Sequence, residues 1–590
     1  MKFAQLAEYL QRLEDTPKRL EITDILTDLL KSFSDNETAV GTYLSLGYLR
    51  AEFESERFNI AEKMMVKILT EAFDSAEKEV EKIYSELGDL GSVAFKLHTK
   101  KTASNVSLKE AHQSLLEIAQ AGGSGSQEQK IQKSAKLIKN TDKLSAKFLV
   151  RIILGTTRLG FTELTIIDAL TQLISSDGKK DKDIKAKIEA KYRIHPDIGL
   201  VAEKVKKSGL KGLKDIQMEI GVPVHAQKPQ RVSSPEEISE KIGAVWAEYK
   251  FDGTRVQAHL DRSKKMEMAE FDQQTMFAVE SKMTFIKTFT RNLEETTYQY
   301  PDLVEAIDKQ VDAKSAILDG EAIGYDRETG DFLDFQETIQ RKRKYGIAEA
   351  AQNIPLKYVV FDILYLNGKS LVNEPLKERR RILEGVIKPG EVVEIDDHLL
   401  TEDALELAKF SQEALDKGLE GIMAKRPDSK YEAGARNFNW MKLKKLEDQI
   451  LEDTVDCVVL GYYHGRGVRA SFGIGGFLVG IWDPDEEKYK TLTKVGTGLK
   501  DEDWGELKRI ADKVSTKEPP KNAEIDSKYN CDVWTRPEIV VELAADQISK
   551  SSDHSAGYAL RFPRLVKFRT DKSPTDTTSP KEIAQMYKKQ

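Results

Sequence analysis

Glu248-Tyr249-Lys250-Phe251-Asp252-Gly253-Thr254-Arg255 is the stretch that decides how this chain is read. The residues ahead of it, Ala244-Val245-Trp246-Ala247, form a short apolar run of the kind that makes a buried strand, and Asp252-Gly253 is a tight-turn signal. Lys250 therefore belongs at the mouth of a strand, between apolar neighbours and next to polar ones. A free lysine titrates near roughly 10.4, so on the order of one in a thousand is neutral at pH 7; it becomes a nucleophile where burial or nearby cations depress that value. Arg255 is one such cation. Taken alone, K-x-D-G fits a solvated surface turn equally well.

Five further stretches follow in order: Leu318-Asp319-Gly320-Glu321, Tyr358-Val359-Val360-Phe361-Asp362, Glu420-Gly421-Ile422-Met423-Ala424-Lys425, Trp440-Met441-Lys442-Leu443-Lys444 and Arg561-Phe562-Pro563-Arg564. With Lys250-Phe251-Asp252-Gly253 they resemble motifs I, III, IIIa, IV, V and VI of the covalent nucleotidyltransferases: ATP-dependent DNA ligases, RNA ligases and mRNA capping enzymes. Six collinear matches over about 310 residues are far more specific than any one. Upstream, Phe148-Leu149-Val150-Arg151 through Gly155, Arg158, Gly160 and Asp168-Ala169-Leu170 resembles the DNA-binding domain of archaeal and eukaryotic replicative ligases. The likeness covers nearly the whole chain and runs nearest to the archaeal ATP-dependent DNA ligases.

The resemblance implies a site. Lys250 would be the nucleophile, attacking the α-phosphate of ATP. Glu248 and Phe361 would line the base pocket, although from its strand alone Phe361 reads as core. Arg255, Arg291, Arg436, Lys442 and Lys444 fall where the family contacts phosphate and ribose. Lys442 and Lys444 alternate on a short strand and so point the same way, which suits one shared anion, and cations packed this closely would lower the lysine's pKa. Glu321 and Glu420 match acidic positions whose hard oxygens suit Mg²⁺; read blindly, Glu420 is a helix-end turn residue. Arg561 and Arg564 would meet the nucleotide when a C-terminal domain swings in and leave when it swings away. Arg151, Gly155 and Arg158 would contact nicked duplex DNA. The implied function is ligation in DNA replication, repair, recombination and cell division by a cytoplasmic monomer working at the nucleoid. An RNA ligase or capping guanylyltransferase shares the lysine and glutamate motifs, but the helical N-terminal region argues for DNA ligation. A silent nick-binding scaffold would not need intact Lys250, Glu321, Glu420 and Lys442.

Composition agrees. At 590 residues the chain divides into three or four domains, and its 32% charged and 40% hydrophobic residues describe an ordinary soluble protein. Two cysteines, Cys457 and Cys531, exclude a disulfide framework and a four-cysteine zinc site, and with it the zinc module of NAD-dependent ligases. Phe3, Leu6, Leu10 and Leu13 mark an amphipathic helix rather than a secretion signal, and no apolar run reaches membrane-spanning length. The net charge of -7 looks wrong for a DNA-binding protein until it is counted by region. Residues 95–160 hold twelve lysines and arginines against four acids, a local balance of +8, enough to neutralise several phosphates.

The pattern predicts a multidomain chain: an all-α DNA-binding domain over 1–215, an α/β adenylation domain over 216–447, and a β-barrel OB-fold domain with a C-terminal tail over 448–590. Helical spacing recurs in Ile25-Leu26-Leu29-Leu30 and Phe148-Leu149-Ile152-Ile153, and Ala121 to Ser126 is a loop. Strands are predicted at Val455–Tyr462, Gly476–Ile481 and Ile539–Leu543, and a helix at Leu405–Leu415. The glycines at 465–467 and 473–476 lack the lysine of a P-loop and read as barrel turns. Three features depart from the family. Pro223-Val224-His225-Ala226-Gln227-Lys228-Pro229 stands where the family carries a run like Pro-Ile-Arg-Pro-Met-Leu-Ala. The 36 positions from Arg255 to Arg291 exceed the expected interval, the surplus at roughly 264–283 fitting an extended hairpin or a contact peculiar to this lineage. The loop near Lys100 lacks the paired aromatics of a sliding-clamp peptide.

Overall fold

The computed structural model describes the chain apart from residues 55, 100–104, 177, 272–277, 334, 344–345, 445–453, 466–471 and 590. The loop near Lys100 and the residues Arg466 and Gly467 thus lie outside the described residues. The chain divides into two compact units, 1–444 and 445–590.

Through Asp215 the first unit is helical. In the helix Phe3–Glu14, residues Phe3, Leu6, Leu10 and Leu13 all face inward, as their three-and-four spacing demands. Ile25, Leu26, Leu29 and Leu30 of the helix Arg19–Ser32 join the same core. Asp142 caps the helix Lys143–Ile153 by accepting from the Leu144 and Ser145 amides, which fixes where that helix starts. Its apolar face, Phe148, Leu149, Ile152 and Ile153, is buried.

The rest of the first unit is two sheets. One contains β1 (Lys228–Arg231), β2 (Val245–Lys250), β9 (His398–Thr401), β10 (Gly421–Lys425) and β11 (Arg436–Lys444), in the order β1-β11-β10-β2-β9. The other contains β3 (Thr254–Phe271), β4 (Ala278–Thr290), β5 (Ser315–Gly324), β6 (Leu356–Leu366) and β7 (Lys369–Ser370) in the order β4-β3-β5-β6-β7, with β8 (Val393–Ile395) also on β6. In these two sheets only the β1–β11 and β6–β8 pairs are parallel among the described residues. Within the surplus segment β3 and β4 stay paired antiparallel out to Phe271 opposite Ala278. The helix Ala404–Asp416 precedes β10 and packs on the first sheet.

In the second unit the strands Val455–Tyr463, Gly476–Asp483 and Lys488–Val495 form an antiparallel meander, and Val540–Ala544 pairs with the first of them. Gly473 has φ +68° in the turn that leads into Gly476–Asp483. These strands belong to one eight-stranded sheet around its own apolar core, with the helix Asp501–Lys513 packed on it. Among the described residues no helix is long and apolar enough to cross a membrane.

Candidate active site

β2 ends at Lys250 and β3 begins at Thr254, so Phe251-Asp252-Gly253 is the crossing between the two sheets. The crossing is tight. A β-carbon on Gly253 would lie 2.5 Å from the Ala322 carbonyl oxygen and 3.0 Å from the Glu321 side chain, so the turn brings β2 hard against β5 and admits only glycine.

Strand register then explains which side chains converge. Lys250 lies opposite Gly421, and Gly421 opposite Lys444; two residues inward, Glu248, Met423 and Lys442 form the next row, and Trp246, Lys425 and Trp440 the third. Period-two alternation puts all three rows on one face, with strands roughly 4.8 Å apart. Gly421 leaves the first row open in the middle. Its φ is +134°, and a β-carbon there would lie 2.9 Å from the Lys444 Cα. Glu420, just ahead, donates its amide to the Lys250 carbonyl (3.0 Å), and its carboxylate ion-pairs with Lys250 and accepts from Lys444 Nζ at 2.9 Å.

The second sheet closes the site from the other side. Arg255 is opposite Glu321 on β5. Phe361 is the extra residue of a β-bulge: Asp319 pairs with Asp362 while Gly320 pairs with Val360, which skips 361. A bulge re-aims a side chain. Phe361 accordingly is only half-buried, packed on the apolar cluster around Trp440, to which it stands edge-on with ring centroids 6.1 Å apart. Lys425 Nζ sits 4.7 Å from the Phe361 ring and ion-pairs with the buried Glu248, which Arg380 also approaches at 3.6 Å.

The electrostatics follow from this crowding. Burial pushes Glu321 up to about 8, an effect that Lys250 and Arg255 offset only in part. Asp252 is also raised, first by burial and then by Glu420, with which it shares a hydrogen bond. Burial would raise Glu420 too, but Lys250 and Lys444 hold it below the usual carboxylate range. Lys442 is lowered by burial and by its neighbours Lys444 and Lys250.

Two sequence-based expectations need correction. Arg255 is not a free cation beside the lysine. Its Nε donates to Asp319 (2.9 Å), its Nη1 to the Gln227 carbonyl (3.0 Å), and the Tyr431 hydroxyl donates to Asp319 (2.9 Å). Burial opposes its charge, but Asp319 outweighs burial and holds it protonated. The nearest charge to Lys250 is the Glu420 carboxylate, so in this state an anion rather than a cation meets the ammonium.

Arg151 is likewise not available to DNA. It is 3% exposed, and its guanidinium donates to Asp89 (2.8 Å) and Glu14 (3.0 Å), joining three helices. Lys130 and Lys147 are also turned inward, to the Phe58 carbonyl and to Glu14, so the basic segment offers fewer cations than its count. Gly155 (φ +67°) and Arg158 (φ +59°) shape the turn after this helix, with Arg158 part-exposed and donating to the Gly88 carbonyl. Arg291 and Arg436 are exposed in the first unit. In the second unit Arg561 ends a strand paired with Gln547–Lys550, and Arg564, ion-paired to Asp546 at 2.7 Å, begins the following strand, which pairs with Val540–Ala544 instead. Sequence reasoning gave no role to Asp252, Asp319 and Lys425, although each lies inside a quoted motif; Tyr431 and Arg380 carried no signal.

Residues 2–171 match the family model described as DNA ligase N terminus, 277–444 the ATP dependent DNA ligase domain, and 470–572 the ATP dependent DNA ligase C terminal region. The chain is similar to a "Probable DNA ligase" of Dictyoglomus turgidum, 40% identical over all of this chain and 98% of that one. It is 34% identical to a "DNA ligase" of Sulfolobus acidocaldarius, again over all of this chain and 98% of the other. The solved structure Pmar-Lig_PreS3 shares the fold at 16% identity, with a TM-score of 0.54 over 96% of this chain and 99% of that one.

Proposed function

This chain belongs to the ATP-dependent DNA ligases, and from that premise we propose that it seals nicks in duplex DNA with Lys250 as its nucleophile. The observation that carries the assignment is the row Lys250, Gly421, Lys444 with Glu420 against the lysine and Glu321 across the sheet crossing. Lys250 Nζ loses a proton and forms a P–N bond to the α-phosphorus of ATP as the bond to the β-phosphate breaks and pyrophosphate leaves. AMP then passes to the 5′-phosphate of the nick. The 3′-hydroxyl attacks that phosphate, AMP leaves, and the strand is closed.

Each neighbour has a task in the first step. Glu248, buried and held by Lys425 and Arg380, is placed to meet the exocyclic amine of adenine, and Phe361, backed by the buried Trp440, supplies apolar surface for the base. Lys442 and Lys444 stabilise charge on the transferring phosphate, with Arg291 and Arg436 further out. Glu420 keeps the Lys250 side chain in place and is the nearest acceptor for its proton. Among the described residues no set of three or more His, Cys, Asp or Glu side chains would hold a metal by itself. Glu321, Glu420 and Asp252 nevertheless offer hard oxygens whose proton affinity burial raises at Glu321 and Asp252, which fits Mg²⁺ bound by Glu321 and Glu420 together with phosphate oxygens. Such an ion would neutralise phosphate charge. Arg561 and Arg564 serve the first step only, and the same activity places the protein in replication, repair and recombination.

The test is self-labelling with ATP or GTP carrying a labelled α-phosphate, followed by a chase with nicked DNA. Wild type should label with ATP and pass the label on. Lys250→Arg keeps the charge but has no amine lone pair to attack with, so it should not label; normal labelling would place the nucleophile elsewhere.

A further inference from the structure

A second crossing between the two sheets passes beside Glu248. β8 belongs to one sheet and β9 to the other, so Asp396-Asp397 carries the chain across. His398, which opens β9, is the register partner of Glu248, and the Asp396 amide donates to the Val360 carbonyl (3.3 Å), next to Phe361. Asp396 therefore stands between the two residues assigned to the base, although it lies in none of the six motifs.

Four charged side chains are packed together here: Glu248, Arg380, Asp396 and Lys425 are 1%, 2%, 4% and 1% exposed. Both cations serve Glu248. Lys425 ion-pairs with it, and Arg380 Nη1 lies 3.6 Å from its Oε1. Arg380, from the helix Leu376–Glu384, meets Asp396 through the backbone, its Nη2 donating to the carbonyl. Among the described residues the Asp396 carboxyl itself has no hydrogen-bond or ion-pair partner. Burial, and then Glu248, push Asp396 well above the usual carboxylate range, with Arg380 and Lys425 opposing. Of these two neighbouring acids it is Asp396 that keeps a proton.

An ionised carboxyl only accepts hydrogen bonds, whereas a protonated one has an O–H to give. Glu248 and Asp396 thus offer an acceptor and a donor as neighbours. A buried donor left unused is costly, so the site is complete only when a bound molecule accepts from it. We propose that Asp396 is a specificity-determining residue for the base, donating to N1 of adenine while Glu248 accepts from the adjacent exocyclic amine. The inference rests on the nick-sealing reading with ATP and adds Asp396 to it. Guanine reverses both groups, with a carbonyl in place of the amine and a hydrogen on N1. The pair of acids that complements adenine would therefore oppose guanine at two points.

The experiment follows self-nucleotidylation of the full-length protein by the mass of its covalent adduct and takes the second-order rate constant for four nucleotides. These are ATP, 1-deaza-ATP, in which a C–H replaces N1, purine riboside triphosphate, which lacks the amine, and GTP. Wild type is compared with Asp396→Leu, which has nearly the same shape and no donor, and with Asp396→Asn, which keeps an N–H. Wild type should react about 10-fold more slowly with 1-deaza-ATP than with ATP, the worth of one hydrogen bond. Asp396→Leu should be about 10-fold slower than wild type on ATP and lose nothing further on 1-deaza-ATP, and its preference for ATP over GTP should fall by a similar factor. Asp396→Asn should retain the 1-deaza penalty. All three proteins should still be slowed by removal of the amine, which belongs to Glu248. A 1-deaza penalty that is absent from wild type, or that survives in Asp396→Leu, overturns the inference. So does loss of the N1 and amine penalties together in Asp396→Leu, which would make Asp396 a support of the pocket alone. If wild type forms its adduct with ATP and any of these results is found, the inference alone fails; if wild type forms no adduct, the nick-sealing reading fails and the inference with it.

Discussion

Replacing Glu321 by glutamine should make the nucleotide-free protein more stable at alkaline pH even as it removes a carboxylate we assign to the reaction. In the folded chain Glu321 titrates at about 8, against an ordinary value of 4.5, chiefly because burial disfavours its charge. The folded state therefore holds a proton that the unfolded state releases between those two values. Stability is full below 4.5 and falls as pH rises to 8. The interval corresponds to about 5 kcal/mol at 1.36 kcal/mol per pH unit. Because the side chain is only half-buried, solvent reduces this to roughly 2–3 kcal/mol.

Glutamine has the same shape and no titration, so the loss should vanish in Glu321→Gln. For the compact unit 1–444, an unfolding entropy of roughly 2.1 cal/mol/K per residue gives about 0.93 kcal/mol/K, so the expected difference in Tm is about 2–3 °C. The assay is thermal unfolding of wild type and Glu321→Gln between pH 5 and 9, without nucleotide or divalent cation. The gap in favour of the variant should widen with pH and level off above 8. A gap that stays constant across the range would refute the reasoning, because it would mean that Glu321 ionises in the folded state as it does in the unfolded one.

Asp319→Asn should cost about 3–5 kcal/mol, since it strands the Arg255 guanidinium in a buried site; chemical denaturation checks it, and a loss under 1 kcal/mol would show that Tyr431 and Gln227 suffice. Arg151→Ala should cost a similar amount by uncovering Asp89 and Glu14, whereas Arg158→Ala should leave the melting temperature within about 2 °C and weaken nick binding, a contrast read by calorimetry and anisotropy on both variants. Arg561→Ala and Arg564→Ala should slow self-adenylation yet seal a nick already carrying AMP on its 5′-phosphate at near-normal rates; equal loss on both substrates would mean that these arginines hold DNA or their own domain instead.

The sequence patterns that repeat at a fixed period were the legible ones. Phe3 to Leu13 announces its helix because Phe3, Leu6, Leu10 and Leu13 are apolar and each three or four residues from the last, and motif glycines such as Gly253 could be placed because only one residue type tolerates so close a backbone. Phe361 was legible only through the motif around it. On a regular strand its neighbours make it core, and the bulge opposite Asp319 and Gly320 that turns it to the site depends on how two strands count against each other.

Charge was harder to read, for one physical reason: a lysine or arginine in a list has no partner until the chain is folded. Arg151 stands in the motif that pointed to DNA, and the fold turns it to Asp89 and Glu14, so that it shapes the junction of three helices and leaves Arg158 and the turn at Gly155 facing outward. Arg255 likewise sits within five residues of Lys250 and yet answers to Asp319, whose strand comes 64 residues later. A motif thus fixes which residues can do the chemistry, while the pairing of charges across the fold decides which of them are free to do it.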